Sequence, residues 1–172
     1  YEMAAKVAGK NGMAILQVML YFTANQEKEH AIVFYNYLKD VFKDANVSME
    51  ANYPVDLDQD LSSLLEQAAQ HEYDEATSIY KQFGDEAKEE GYVEIATTFY
   101  MICEIEHYHH ERFKKYHNLL TSGKLFNDQS TVKWMCMNCG FIYEGTDALT
   151  ICPVCKHPQG YSLRLDESQF HL

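Results

Sequence analysis

The sequence predicts a mainly α-helical protein, in which a four-helix bundle is followed by a small C-terminal module of turns and short strands held by a metal ion. The bundle is predicted because apolar residues recur every three or four positions through the first 122 residues. The module is predicted because two Cys-x-x-Cys pairs lie among short aromatic-rich pieces near the C-terminus. We expect the bundle to occupy residues 1–123 and the module residues 131–172, with a polar linker over residues 124–131.

Glycine and proline divide the helical part into four segments. Breaks are expected at Gly9 and Gly12, in a loop over residues 44–60 that contains Pro54, and at Gly91. Gly123 is expected to cap the last segment, because glycine readily adopts the positive φ of a helix C-terminal cap. The expected segments are residues 1–8, 13–43, 61–90 and 92–122.

Composition argues against several classes of protein. The 14 basic and 26 acidic side chains leave a net charge of -12, which repels nucleic acid and anionic membranes. The longest nearly apolar run, residues 13–22, is short of the roughly 20 residues that a membrane span needs. We see no secretory signal pattern and no Gly-x-Gly-x-x-Gly dinucleotide fingerprint. Four of the five cysteines form Cys-x-x-Cys pairs, which have the spacing of metal ligands, and this favours reduced thiols and a cytoplasmic location.

Acidic residues fall where the helical pattern would place apolar ones. Glu27 and His30 lie on the apolar stripe of the second segment, and Glu72 and Glu75 lie on that of the third. Both stripes are predicted to be buried. The first stripe consists of Met13, Leu16, Leu20, Ala24, Phe34, Leu38 and Val41, and the second of Leu61, Leu65, Ala68, Ile79 and Phe83.

The fourth segment contains two Glu-x-x-His pairs, Glu104 with His107 and Glu106 with His109. Helical phase favours an inward position for the second pair, because it continues an apolar face and the first pair continues a more polar one. The apolar face contains Ile95, Phe99, Ile102 and Phe113, and the polar face contains Thr97, Tyr100 and Glu111.

Several buried carboxylates at one level of a core need a counter-charge, because an isolated one costs many kcal/mol. Carboxylates with a minority of imidazoles suit iron or manganese, and bridging carboxylates can hold two such ions close together. A single Glu-x-x-His pair is more often a surface pair, but three inward-phased acidic pairs favour a di-metal site of the ferritin-like kind. The candidate ligands are Glu27, His30, Glu72, Glu75, Glu106 and His109.

The paired cysteines have the spacing of a tetrahedral four-thiolate site, with 12 residues between the two pairs. Zinc and iron both fit that site. Iron is favoured because a redox centre upstream needs single electrons, and zinc does not change its oxidation state. Gly140 is expected to adopt a positive φ that turns backbone N–H groups toward sulfur, and the fifth cysteine, Cys103, is expected to pack in the core. The paired residues are Cys136, Cys139, Cys152 and Cys155.

The chain resembles the rubrerythrin family over nearly its whole length. The resemblance is carried by Gln26-Glu27-Lys28-Glu29-His30-Ala31, by Glu89-Glu90-Gly91-Tyr92, and by Trp134-x-Cys136-x-x-Cys139-Gly140 with Cys152-Pro153-x-Cys155. It implies a ferritin-like bundle, a rubredoxin-like domain and the same six di-iron ligands that helical phase selects. It also implies that Tyr1 and Tyr80 hydrogen-bond ligand carboxylates, and that Glu75 and His30 are alternative ligands to one iron.

The function that this resemblance implies is the reduction of hydrogen peroxide to water. The chain would then hold three irons, one di-iron pair and one rubredoxin-like iron that returns electrons to it. Those electrons would come from NAD(P)H through a separate reductase or a rubredoxin, and the protein would form a homodimer or higher oligomer, with helices exchanged between subunits as one arrangement. The alternatives are iron oxidation and storage with dioxygen as oxidant, and a zinc-stabilised interaction module without enzymatic activity.

The resemblance also implies a ligand that this sequence does not contain. Members of the family have a further glutamate ligand on the first helix, about two turns before the tyrosine that Tyr1 matches. Glu2 lies roughly 12 Å along the helix from that position and is a poor substitute. Either the N-terminal part of the first helix has been lost from this sequence or another polypeptide completes the site, and we expect the first of these.

Overall fold

Five helices make up most of the computed structural model, which describes residues 1–43, 45–48, 50 and 60–168. They are α1 Glu2–Lys10, α2 Ala14–Phe42, α3 Leu61–Asp74, α4 Tyr80–Glu89 and α5 Val93–Thr121. A five-residue π-helical turn, Glu75–Ile79, joins α3 to α4 without a break, so the four predicted segments are confirmed. Most of the predicted loop over residues 44–60, and the side chain of Val41, lie outside the described residues.

The helix ends follow the local signals in the sequence. Asp60 accepts a hydrogen bond from the backbone N–H of Ser63 and so caps the start of α3. Gly91 and Gly123 have φ values of 89° and 68° where α4 and α5 end. The N–H of Lys124 donates to the carbonyl of Leu119 at 2.8 Å, so the predicted cap at Gly123 is confirmed.

The chain divides into two compact units. One contains residues 22–115, and the other contains residues 1–21 together with residues 116–172. No helix in the described part of the chain is both long and apolar enough to cross a bilayer.

The π-helical turn changes which residues of the third predicted segment face inward. Before the turn, Leu61, Leu65 and Ala68 are buried as predicted. At the end of the turn Ile79 is 41% exposed, and beyond it Phe83 is 43% exposed, so the predicted burial of both is wrong. A π turn adds one residue to a helical turn and moves the inward face on by one position. The inward positions are accordingly Tyr80, which is half-buried, and Gly84, which is buried.

On α2 the predicted stripe is buried near its start, at Leu16 and Leu20, but Leu38 near its end is 38% exposed. Nothing in the described residues accounts for that exposure.

Three antiparallel strands form the C-terminal sheet, in the order β2-β1-β3. They are β1 Asn127–Cys136, β2 Ile142–Asp147 and β3 Ser162–Arg164. The central strand carries the buried Trp134, whose indole N–H donates to the carbonyl of Gly145 at 3.1 Å. Because β1 begins at Asn127, the predicted linker over residues 124–131 is wrong from that residue onward; the segment pairs with β2 through Asn127 and Asp147.

Candidate metal centres

Three helices bring three glutamates and one histidine together in the interior of residues 22–115. Glu27 lies on α2, Glu72 on α3, and Glu106 with His109 on α5; one ligand atom from each lies within 4.8 Å of all the others. Glu72 and Glu106 are fully buried, and His109 is 1% exposed. The competing pair, Glu104 and His107, is exposed, so the predicted inward phase of Glu106 and His109 is confirmed.

The two histidines of the cluster point their Nδ1 atoms at the carboxylates. His109 Nδ1 lies 2.7 Å from Glu27 Oε1, 2.8 Å from Glu106 Oε2 and 3.5 Å from Glu72 Oε2. His30 Nδ1 lies 3.0 Å from Glu106 Oε1 and 3.2 Å from Glu27 Oε2. Five of the six predicted side chains therefore meet at one point, and Glu27 and Glu106 each contact both imidazoles.

The polar atoms of this cluster have the arrangement expected of ligands around cations. Glu27 Oε1, both carboxylate oxygens of Glu106 and His109 Nδ1 are buried, yet none of them meets the geometry of a hydrogen bond with any described residue. These atoms lie close to one another, but their angles are not those of hydrogen bonds. Buried oxygens and an imidazole nitrogen that converge in this way fit a pair of hard or borderline metal ions.

In the metal-free chain, protons take the place of the missing positive charge. Burial lowers the pKa of His109 and His30, but contacts with Glu106 and Glu27 outweigh burial and raise the two values to about 11 and about 9. Burial raises the pKa of Glu27, but the same two histidines lower it to about 2. The cluster is thus stable only with added positive charge, from protons or from metal.

The sixth predicted ligand, Glu75, is the first residue of the π turn and lies half-buried near the cluster. Burial, followed by the charges of Glu72, Glu106 and Glu27, raises its pKa to about 8, so the carboxyl group stays protonated at neutral pH without metal. Tyr80 directly follows the π turn, and its ring lies 5.8 Å from that of Phe34. Burial and the charge of Glu75 also raise the pKa of Tyr80, which keeps its phenol protonated.

The four paired cysteines converge in the other unit. Cys136 Sγ lies 3.6 Å from Cys155 Sγ, and Cys139 Sγ lies 3.7 Å from Cys152 Sγ. These separations are far longer than a disulfide bond and match the edge of a sulfur tetrahedron around one metal, about 3.8 Å for a metal–sulfur distance of about 2.3 Å. The donor set therefore fits a single thiolate-bound ion.

The two Cys-x-x-Cys pairs form knuckles with the same backbone hydrogen bonds. The N–H groups of Gly140 and Lys156 donate to the carbonyls of Cys136 and Cys152, at 2.8 and 3.0 Å. Both donors have a left-handed backbone, with φ of 76° for Gly140 and 64° for Lys156, so the predicted positive φ at Gly140 is confirmed. The next N–H group in each knuckle, at Phe141 or His157, points at a cysteine sulfur.

These backbone N–H groups favour the thiolate form. The N–H of His157 lowers the pKa of Cys155 to about 5, with further lowering by the neighbouring thiols. The N–H of Phe141 also favours the thiolate of Cys139, but burial and the neighbouring thiols outweigh it and raise the pKa of Cys139 to about 12. In the metal-free site Cys155 is therefore the thiol that is ionised at neutral pH.

Comparison with known proteins agrees with both centres. Residues 1–117 match the family model for rubrerythrin, and residues 134–161 match the model for the rubredoxin-like domain of rubrerythrin. The chain belongs to the rubrerythrin family. It is 42% identical over 161 residues to the rubrerythrin of Clostridium perfringens, covering 94% of this chain and 83% of that protein. It is 34% identical to the rubrerythrin of Nitratidesulfovibrio vulgaris, covering 90% of this chain and 78% of that one.

Solved structures of nigerythrin share the fold. The structure of its fully reduced, all-ferrous state superposes with a TM-score of 0.61 at 22% identity, covering 95% of this chain and 77% of that chain. The partially reduced state gives a TM-score of 0.60. The predicted fold class, a ferritin-like bundle followed by a rubredoxin-like domain, is confirmed.

Membership of the rubrerythrin family indicates that both metal sites bind iron. The glutamate–histidine cluster and the four-cysteine cluster together account for three irons per chain, as predicted. The chain is therefore an iron protein of a family of oxidoreductases associated with oxidative stress.

Some features of the sites escaped sequence reasoning. Tyr1 belongs to the unit that contains residues 1–21, and its predicted role at the di-iron site stays a prediction. Cys103 is half-buried on α5 and not a core residue, because it lies between the inward and outward faces of that helix. The π turn at Glu75 and the left-handed Lys156 were not predicted, since neither proline nor glycine marks them. Gln26 belongs to the family motif, but the motif alone does not reveal that its side chain contacts His109 and Arg112 of α5.

Proposed function

We propose that this rubrerythrin family member reduces hydrogen peroxide to water at the carboxylate centre. The observation that carries the proposal is that one chain contains both a buried glutamate–histidine cluster and a separate four-cysteine site. The first suits a two-electron reaction with a small oxidant, and the second suits the return of electrons one at a time.

The proposed iron ligands are the six residues that helical phase selects. Glu27 and Glu106 each contact both histidines, which suits carboxylates that bridge two ions. Glu72 completes the buried set on α3. Glu75 and His30 are proposed as alternative ligands to one iron, and the half-buried position of Glu75 in the π turn leaves that side chain more freedom than the fully buried Glu72.

The chemistry needs two electrons and two protons for each peroxide, because H2O2 + 2 e⁻ + 2 H⁺ gives two molecules of water. Two irons held by these ligands would supply the electrons and polarise the O–O bond. In the metal-free chain Glu75 holds a proton beside the cluster, because its pKa is raised to about 8, and burial raises the pKa of Tyr80 still further above its ordinary value of 10, so its phenol is protonated as well. They are proposed to donate hydrogen bonds and protons to the departing oxygens, and Tyr1 is proposed for the same role.

The four cysteine sulfurs would hold the iron from which the spent electrons are replaced. The ultimate donor is proposed to be NAD(P)H, acting through a separate reductase or a rubredoxin. We further propose a cytoplasmic homodimer or higher homo-oligomer, including one with exchanged helices, and a di-iron domain over residues 1–123.

The test is the rate at which each oxidant consumes the reduced protein. The protein is loaded with three irons, reduced without oxygen, and mixed rapidly with hydrogen peroxide or with dioxygen while the visible absorption of the thiolate-bound iron(III) is followed. Oxidation is expected to be much faster with peroxide, and Glu106→Gln is expected to slow it. Faster oxidation by dioxygen would instead favour iron oxidation and storage. A colourless, iron-free protein from cells grown with iron would favour the zinc-stabilised module.

A further inference from the structure

A chain of polar contacts reaches His109 from the side away from the carboxylates. Its Nε2 atom lies 3.1 Å from the side-chain oxygen of Gln26 on α2. The same oxygen accepts a hydrogen bond of 2.9 Å from the Nη1 group of Arg112 on α5. Gln26 therefore lies between the arginine and the imidazole.

The hydrogen-bonding capacity of arginine fixes the direction of the whole chain. A guanidinium group can only donate, so the atom of Gln26 that faces Arg112 must be the amide oxygen. That oxygen can only accept, so His109 Nε2 must carry a hydrogen and donate it. In the neutral imidazole that binds a metal, the other ring nitrogen, Nδ1, then carries the lone pair, and this is the atom that lies beside Glu27 and Glu106.

Arg112 also contacts Thr23 and Phe22 of α2. Its Nη1 group donates to the hydroxyl of Thr23 at 2.8 Å, and Thr23 is fully buried. Its guanidinium carbon lies 5.0 Å from the centre of the Phe22 ring, within the range of a cation–π interaction. The arginine is thus fixed to residues 22–26 of α2, and the amide of Gln26 cannot rotate without losing the hydrogen bond that Arg112 donates to it.

We infer that Gln26 and Arg112 are positioning residues, which hold His109 with its Nε2–H on Gln26 and its Nδ1 directed at the metal site. This inference rests on the proposed assignment of His109 as an iron ligand. A hydrogen bond to the far nitrogen of a ligand imidazole fixes the ring and makes the coordinating nitrogen more basic.

Two neighbouring histidines show that the arrangement is particular to His109. Within the part of the chain that the structure describes, His30 has no comparable side-chain partner on its Nε2. His110 has the opposite arrangement, because its Nδ1 donates to the carbonyl of Ala69 at 2.7 Å. Among these three histidines of the described chain, His109 is therefore the one with side-chain contacts on both ring nitrogens that include the cluster carboxylates, and His110 provides an internal reference.

The inference is tested by zinc binding to the full chain, because zinc has no redox chemistry to complicate the measurement. The four-cysteine site is filled first, and binding of further zinc is then measured by competition with a chelator. Gln26→Met removes the acceptor at similar size and is expected to weaken this binding by about 10- to 100-fold. Gln26→Glu keeps an acceptor for both Arg112 and His109 and is expected to keep the affinity. Gln70→Met, on the exposed face of α3, is the matched control and is expected to have no effect.

A second measurement reports on the hydrogen bond itself. In zinc-loaded protein with ¹⁵N-labelled histidine, His109 is expected to show an Nε2–H and His110 an Nδ1–H, both protected from exchange with water. Gln26→Met should expose the His109 signal to rapid exchange and leave that of His110 unchanged. Thermal unfolding of the metal-free variants confirms that each one folds.

The outcomes separate the inference from the proposed function. If the wild-type chain binds no zinc beyond the four-cysteine site, the ligand assignment fails and the inference fails with it. If the wild-type chain binds zinc there and Gln26→Met binds equally well, only the inference fails. Equal weakening by Gln26→Met and Gln26→Glu would also overturn it, because the side chain would then act through its packing and not as an acceptor.

Discussion

The two metal centres of this chain are built in opposite ways. The four cysteines lie within residues 136–155, and the backbone hydrogen bonds of their own knuckles fix most of their geometry. The carboxylate centre takes ligands from three helices, between Glu27 and His109, and a local helical turn sets the distances only within its two Glu-x-x-His pairs. A thiolate site of the first kind depends on its own short sequence, whereas the second kind depends on how helices pack.

Loss of one cysteine should give the largest and most local effect. Metal binding to a four-ligand thiolate site contributes on the order of 10 kcal/mol, and three thiolates hold the ion far less well. Cys152→Ser is therefore expected to reduce the iron content from three to two per chain and to abolish the visible thiolate absorption. Iron analysis together with the absorption spectrum measures both effects.

The fifth cysteine provides the control for that experiment. Cys103 lies on α5, away from the knuckles in sequence, and Cys103→Ser should keep all three irons. Loss of the di-iron pair in Cys152→Ser would contradict the view that the thiolate site is an independent local structure.

The next largest effect is expected from the centre that depends on packing. Glu106 is fully buried and contacts both His30 and His109, so Glu106→Gln removes a charge that holds two imidazoles. Binding of the di-iron pair should weaken by about 100-fold or more, while the thiolate iron stays bound. Glu104→Gln changes the same residue type two positions earlier on an exposed face and should leave three irons bound. Equal losses in both variants would show that the phase assignment of α5 does not determine metal binding.

The same contrast explains what the sequence could predict. The cysteine site was predictable because its ligands are close in sequence and their spacing sets the geometry. The burial of Glu72, Glu106 and His109 was predictable because each lies on a regular apolar stripe. The contact between Gln26 and Arg112, 86 residues apart, was not predictable, because it exists only after α2 and α5 pack together.

The π turn shows the limit of periodicity more directly. A regular α-helical phase places Ile79 and Phe83 inside, but the extra residue of the turn brings Tyr80 and Gly84 there instead. Gly84 contacts the ring of Tyr100 so closely that an added Cβ atom would lie 2.5 Å from it. This packing between α4 and α5 depends on the turn, and one helix read alone gives no sign of it.

Raising the pH should destabilise the metal-free protein. The folded-state pKa of Glu75 is raised from 4.5 to about 8. Between these two pH values the folded state binds more protons than the unfolded state, so the free energy of unfolding falls as the pH rises. The raised pKa of His30, about 9 against 6.5, gives stability that is complete below pH 6.5 and is lost as the pH rises through 9. Glu27 has the opposite effect, and only at acid pH. Because its pKa is lowered from 4.5 to about 2, it contributes stability that is complete above pH 4.5 and is lost as the pH falls through about 2.

The variant Glu75→Gln isolates one part of this pH dependence. It removes the cost of ionising a half-buried carboxyl group, so at pH 8.5 the metal-free variant should be more stable than the wild type by roughly 4 kcal/mol. At pH 4.5 the two proteins should have nearly equal stability. Denaturant unfolding in the presence of a chelator measures the difference. A constant difference between the two pH values would contradict the assignment of the effect to ionisation of Glu75.

The smallest predicted effects compare the two cysteine knuckles with each other. Gly140 and Lys156 hold equivalent left-handed positions, but only Gly140 is free of the steric cost of a Cβ atom, about 1–2 kcal/mol. Glycine also lowers the stability of the folded state by about 0.5–1 kcal/mol, because it has more conformational freedom in the unfolded chain. Gly140→Ala should therefore destabilise the iron-loaded protein by about 1 kcal/mol, and Lys156→Gly should stabilise it by somewhat less, because the bond from Lys156 Nζ to the carbonyl of Pro153 is lost.

The temperature at which the thiolate–iron absorption is lost measures the stability of both variants. In the double variant Gly140→Ala with Lys156→Gly this temperature should be close to that of the wild type, because the loss at one knuckle offsets the gain at the other. An added Cβ at Gly140 meets no atom within 4 Å, so its cost is purely conformational. A much larger loss in Gly140→Ala would mean that the first knuckle is constrained by more than its backbone. The two knuckles would then be equivalent in hydrogen bonding but not in energy.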